Sequence, residues 1–134
     1  MGTGPRVEID LRRPLTEGDR VALRALGLTG AFAIITADNP LGQHAPDSHN
    51  EVAEETLEAH IRRLGVRYVP ATGCSPDRSH CEDGFAVELH RRAAREVAEE
   101  FRQDALFWYD GKDFWLDGAV MEMEPVGLPL VEGT

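Results

Sequence analysis

Asn39, Asn50, Glu82 and Gln103 are the residues of this chain whose types are suited to doing chemistry together. Three of them are neutral amides, which donate and accept hydrogen bonds and so can orient a small polar ligand such as a nucleobase, a sugar or an amide. Glu82 is a carboxylate, and burial would move it toward the range of a general acid or base. Thr36 and Pro40 lie close to Asn39, and Asp104 follows Gln103. Paired with Glu82, Asp104 would suit acid–base work or a hard cation. The plainer role of such groups at strand ends is to cap turns and satisfy loop backbone.

Composition narrows the classes. The chain has 134 residues, of which 42% are hydrophobic, enough for one domain around a single core. A net charge of −10 argues against extended nucleic-acid binding, which needs clustered Lys and Arg, and against acidic membranes. The charge reads as a source of solubility, with an acidic interaction surface as the alternative. No apolar run approaches the roughly 20 residues of a membrane span, and residues 1–13 hold no signal-like stretch. The expected location is therefore the cytoplasm, where the two cysteines are expected as thiols.

The elements that must position the four polar residues follow from periodicity. Residues 1–5 read as a loose leader. Val7, Ile9 and Leu11 alternate with charged residues, which predicts a short exposed strand. Thr16 and Asp19 form a capping-box pair, and Gly27 suits the end of that helix. Residues 31–36 (AFAIIT) are a continuous apolar run, expected as a central strand. Ser48, with Glu51, is expected to cap a long helix with Ala53, Leu57, Ile61 and Leu64 on its buried face, ending at Gly65. Its other face is acidic, with Glu51, Glu54, Glu55 and Glu58.

Residues 66–72 read as a strand, and Pro70 places it at an edge. A turn-rich connection over residues 73–83 precedes a strand over 84–89. A helix over about 91–102 buries Ala94, Val97, Ala98 and Phe101. Arg91 and Arg92 oppose its dipole, so tertiary packing must hold it. Residues 105–109 and 114–116 are expected as strands joined at Asp110-Gly111, a two-residue hairpin signal. Residues 123–134 read as a surface tail.

The order is thus β-α-β-β-α-β, the split βαβ or ferredoxin-like pattern of an α+β domain, with an extra C-terminal strand and an N-terminal strand and helix. Right-handed crossovers put the first and third of these core strands in the centre. The end of the first, the start of its helix, and the starts of the third and fourth then share one rim. Asn39, Asn50, Glu82, Gln103 and Asp104 all fall there, so a rim pocket is expected.

A resemblance runs along the same residues. TADNPLG (36–42), Asn50, Glu82 ahead of a strand containing Phe85, and FRQDA (101–105) resemble a family of small bacterial domains of unknown function. That family carries a Thr-Ala-x-Asn-Pro motif, a downstream Asn, a Glu before a Phe-containing strand and a Gln-x-Ala motif. The resemblance implies Asn39, Pro40, Asn50, Glu82 and Gln103 as family-like positions and brings no activity with it. Where the family has an aromatic before its Glu, this chain has His80 and Cys81.

Other constellations are thinner. Cys74, His80 and Cys81, completed by His44 or His49, raise zinc, although six residues between cysteines is not a finger spacing. The two cysteines could also oppose each other across a hairpin as a reversible disulfide. His60 and His90 read as solvated. Phe107, Trp108, Tyr109, Phe114 and Trp115 suit core and dimer surface ahead of base stacking, and a homodimer would cover any exposed rings. No P-loop, G-x-G-x-x-G or G-x-S-x-G occurs, and no cofactor or resident metal is expected.

The sequence thus points to a domain that binds a small polar or nucleotide-like ligand at the rim. Processing of that ligand, hydrolysis included, would fall to Glu82. The alternatives are a non-catalytic interaction module and a thiol or zinc switch.

Overall fold

The apolar run near residue 32 lies at the heart of the domain. In a computed structural model, which describes residues 8–28, 30–40, 43–74, 77, 79 and 81–128, Phe32–Thr36 forms strand β1. Phe32 and Ile35 are fully buried. They face opposite sides because side chains alternate along a strand. Ala33 and Ile35 join one core cluster with Leu57, Ile61, Val87, Ala94, Val97, Ala98 and Leu106. Phe32 joins the other with Leu23, Leu28, Ala86, Tyr109 and Phe114.

Around β1 the chain forms α1 (Glu17–Ala25), α2 (Asp47–Leu64), β2 (Tyr68–Cys74), β3 (Cys81–Val87), α3 (Arg91–Glu100), β4 (Ala105–Tyr109), β5 (Phe114–Gly118) and β6 (Val126–Gly127). Among the described residues this is a mixed α+β architecture, a six-stranded antiparallel sheet with three helices. The strand order is β2-β3-β1-β4-β5-β6. Helices α2 and α3 pack on one face of the sheet, and α1 with Ile9, Leu11 and Leu15 on the other. The sheet continues past β4 through two strands, where a single extra strand is expected. The segment read as tail supplies β6, which pairs Val126 with Leu116 and Gly127 with Trp115.

The capping box of α1 forms as expected, with Thr16 Oγ1 accepting from the Asp19 N–H at 3.1 Å. Gly65 ends α2 in the left-handed conformation, at φ 71°. Other local expectations give way. No strand forms over residues 8–16. Asp10 Oδ1 captures the Arg12 N–H at 2.9 Å and bends the chain, while Ile9 and Leu11 lie over the second cluster. Val7, the start of that expected strand, is outside the described residues.

Helix α2 starts before Ser48. Pro46 is its N-cap, without a side-chain cap bond, and the Pro46 carbonyl accepts from the Asn50 N–H at 3.1 Å. The β4–β5 turn is centred one residue later than Asp110-Gly111. The Asp110 N–H donates to the Asp113 carbonyl at 3.0 Å, which leaves Gly111, at φ 103°, and Lys112 at the tip.

His60 is packed rather than solvated: its ring meets Phe101 edge-on at 5.8 Å. The hairpin aromatics work inside the chain. Tyr109 and Phe114 both stack with Phe32, and Trp115 Nε1 donates to Asp110 Oδ2 at 2.9 Å. At the start of α3 the unfavourable dipole at Arg91 is offset, because its Nε lies 3.2 Å from an oxygen of Asp117, which is fully buried.

Candidate functional site

Four separate elements deliver the polar residues to one rim. Thr36 ends β1, and Asp38 and Asn39 open the loop behind it. Asn50 sits in the first turn of α2, and Glu82 is the second residue of β3. Gln103 arrives by a less obvious route. Helix α3 ends with the Gln103 N–H bonded to the Ala98 carbonyl and the Arg102 N–H to the Glu99 carbonyl, both at 2.9 Å. That is a Schellman closure, which places Arg102 in the left-handed position usually taken by glycine. Arg102 accordingly has φ 57°. The reversal turns Gln103, 9% exposed, back under the β1 loop.

The side chains then form one connected network. Gln103 Nε2 donates to the Asp38 carbonyl at 3.1 Å and to the Phe101 carbonyl at 3.2 Å. These bonds fix the amide, so its Oε1 faces Thr36. The Thr36 hydroxyl lies 3.1 Å from both Gln103 Oε1 and Glu82 Oε1. With a single proton, it donates to one of them at a time.

Asn39 Nδ2 donates to Glu82 Oε2 at 3.0 Å. Asn39 Oδ1 accepts from the Ala45 N–H at 2.9 Å and from Asn50 Nδ2 at 3.1 Å. Asn50 Oδ1 closes the ring by accepting from the Asn39 N–H at 2.9 Å. Asn39 is itself left-handed, at φ 47°, which Asn tolerates better than most residues.

Asn39, Asn50, Glu82, Gln103 and Thr36 therefore meet. Two expected residues take other parts. Pro40 contributes its carbonyl to the Gln43 N–H at 3.2 Å. The Asp104 carbonyl accepts from the Ala119 and Met121 N–H groups at 2.9 and 3.1 Å, tying down the segment after β5. The rim lies apart from the groove of about 460 Å³ between the end of α1 and the start of β2, which is lined by Leu26, Gly27, Leu28, Val66, Arg67, Tyr68 and Val69.

Two functional candidates escape a reading of the sequence. Asp38, 7% exposed, accepts from the Asp83 N–H through Oδ2 at 3.2 Å. Its Oδ1 is buried with no hydrogen-bond partner among the described residues. Glu54, which reads as one more acid on a helix face, is electrostatically coupled to Asp38. Burial first, then the Asp38 carboxylate, pushes Glu54 up from 4.5 to about 7. Burial also raises Asp38. The signal was present in the spacing, because Asn50 and Glu54 are four residues apart and share a face of α2.

Cys74 and Cys81 correct the expectation of two thiols. They are directly opposed in the β2–β3 ladder and joined as a disulfide. In this state neither sulfur is a thiolate ligand for zinc. Ladder and bridge also carry both strands further than expected, so Glu82 lies within β3. His80, proposed with them as a zinc ligand, is outside the described residues.

The left-handed Arg102 can be tested simply. Arg102→Gly removes the steric penalty of that conformation and is expected to stabilise the fold by about 1 kcal/mol, read from chemical denaturation. A destabilised variant would show that the Arg side chain is needed in place.

No curated protein and no solved structure matches this chain. A family model does, over residues 35–106, from the penultimate residue of β1 to the second residue of β4. The matched span contains the whole network with Asp38 and Glu54, and on this match the chain belongs to the family described as Protein of unknown function (DUF3293).

Proposed function

We propose that the rim binds a small polar ligand through Glu82, and that Asn39, Asn50, Gln103 and Thr36 hold that carboxylate and its loop in place. One observation carries the reading. The two non-glycine residues with positive φ among the described residues are Asn39 and Arg102. One belongs to the network and the other immediately precedes Gln103. Backbone strain retained at one spot by a surrounding hydrogen-bond network is a mark of functional sites.

The local charge selects the ligand class. Asp38, Glu51, Glu54, Glu82 and Asp83 interact around the rim, a field that repels phosphate and favours amine or hydroxyl donors. The ligand class is therefore a neutral or cationic molecule, nucleoside-like rather than nucleotide-like. Any turnover of it would use Glu82 as acid or base.

A thermal-shift screen against polyamines, amino sugars, amino acids, nucleosides and nucleotides tests this. A binder well above its dissociation constant raises the melting temperature. Glu82→Gln should abolish that rise with the fold intact, and nucleotides should give none. One finding favours a second reading. The three amides satisfy one another and the backbone, as they would in a brace for a non-catalytic interaction module. In that case Glu82→Gln lowers the melting temperature of the free protein and alters no binding.

The same reading includes a split βαβ, ferredoxin-like unit from β1 to β4, supported by the order β2-β3-β1-β4 within the sheet, and a cytoplasmic address. A thiol count on protein taken directly from cells tests the address, since the Cys74–Cys81 bridge would be open in a reducing compartment.

A further inference from the structure

We propose that the Cys74–Cys81 bridge is a reversible redox switch that holds the rim in place when oxidised and releases it when reduced. The inference concerns regulation of the site proposed above and rests on that reading, but its test needs no ligand.

Its basis is the path from the bridge to the network. Cys74 and Cys81 pair directly in the β2–β3 ladder. The two residues that follow Cys81 both hold the β1 loop. Glu82 Oε2 accepts from Asn39 Nδ2 at 3.0 Å, and its Oε1 lies 3.1 Å from the Thr36 hydroxyl. The Asp83 N–H donates to Asp38 Oδ2 at 3.2 Å. The ladder between β1 and β3 starts at Gly84, opposite Thr36. Ahead of that point, among the described residues, β3 has ladder pairs only with β2.

Without the bridge, β2 is a weak support. It is an edge strand. Pro70 gives no N–H to the ladder, and Gly73, opposite Glu82, has no side chain to pack. The Thr72 hydroxyl donates to Asp83 Oδ1 at 2.8 Å, but this pair is exposed and water competes for it. The covalent link therefore fixes this end of the hairpin, by denying the chain the freedom that an open loop would regain. Opening it lets residues 81–83 part from β2 and carry Glu82 and Asp83 away from the β1 loop.

The bridge is also placed to react. Cys74 and Cys81 are both exposed, and exposed disulfides are the labile ones. A dithiol reductant supplies the electrons. One of its thiolates attacks a bridge sulfur, breaks the S–S bond and leaves the other sulfur as a thiolate. Its second thiol then displaces the mixed disulfide. Two electrons and two protons pass to the protein, which ends with two thiols, and the reductant ends as a disulfide. A small-molecule disulfide takes both back by the same exchange and leaves as two thiols.

Amide hydrogen exchange in the two states tests the switch. The probes are the N–H groups of Asn39, Ala45 and Asp83, each of which donates to a side chain at the rim. Reduction with dithiothreitol should speed their exchange about tenfold while leaving the amides of β4 unchanged, and oxidised glutathione should restore it. Cys74→Ser and Cys81→Ser together should exchange as the reduced wild type does and ignore the reductant. If that variant does not fold, the two states of the wild type decide alone. Equal rates at the three probes in both states would overturn the switch. Equal acceleration in β4 would overturn it too, by making the bridge a staple of the whole fold.

Discussion

Replacing Gly84 with alanine is expected to cost the domain about 3 kcal/mol, the upper end for overpacking. Gly84 lies opposite Thr36 in the β1–β3 ladder, at the centre of the sheet. A Cβ there would collide with the Ile35 carbonyl oxygen, and it would come within 2.9 Å of Thr36 Cγ2 and 3.0 Å of the Ile35 carbonyl carbon. Backbone cannot swing aside as a flexible side chain does, so β1 and β3 must part. Because Glu82 lies two residues before Gly84, the same movement would pull its carboxylate from Thr36. Gly73→Ala is the control, since a Cβ at that position meets nothing within 4 Å. Urea denaturation should show a lowered midpoint with an unchanged slope for Gly84→Ala. A loss below about 1 kcal/mol would mean that the strand pair yields more easily than a packed ladder should.

Gln103→Ala is expected to be the most damaging change within the network, at about 2–3 kcal/mol. The substitution deprives the Asp38 and Phe101 carbonyls of their donor and Thr36 of an acceptor. Groups left unpaired away from water cost their full desolvation, and the Asp38 carbonyl belongs to one of the few buried polar residues of the fold. Gln103→Glu sharpens the test. It keeps the acceptor toward Thr36 but sets a carboxylate oxygen against two carbonyls, so its loss should match or exceed that of alanine. If the stability of Gln103→Ala stays within about 0.5 kcal/mol of wild type, water substitutes for the amide and the network does not brace the rim.

How far these results could be read in advance depended on the kind of signal. Strand β4 was legible to the residue, and β1 within one, because a run of apolar and aromatic residues between polar breaks leaves few other places for a strand. The edge position of β2 followed from Pro70. Topology alone brought Thr36, Asn39, Asn50, Glu82 and Gln103 to one rim.

What stayed hidden had a physical cause in each case. Alternation at Ile9 and Leu11 does not distinguish a paired strand from an extended segment laid across a sheet. The Ser48–Glu51 pair matches a capping box, yet Pro46 sets the start of α2 two residues earlier. The disulfide depends on the β2–β3 register, which neither cysteine announces. Asp38 and Glu54 were passed over because an acid on a helix face is normally solvated; only the depth of Asp38 makes this pair different.

The two margins of the sheet have a bearing on how copies of the molecule behave at high concentration. One margin is β2, where Pro70 breaks the row of donors and a covalent bridge fixes the tip; the other is β6, two residues long. Neither offers an incoming chain a long unbroken template, so fibril growth by strand addition is disfavoured. Self-association by pairing sheet edges is disfavoured for the same reason.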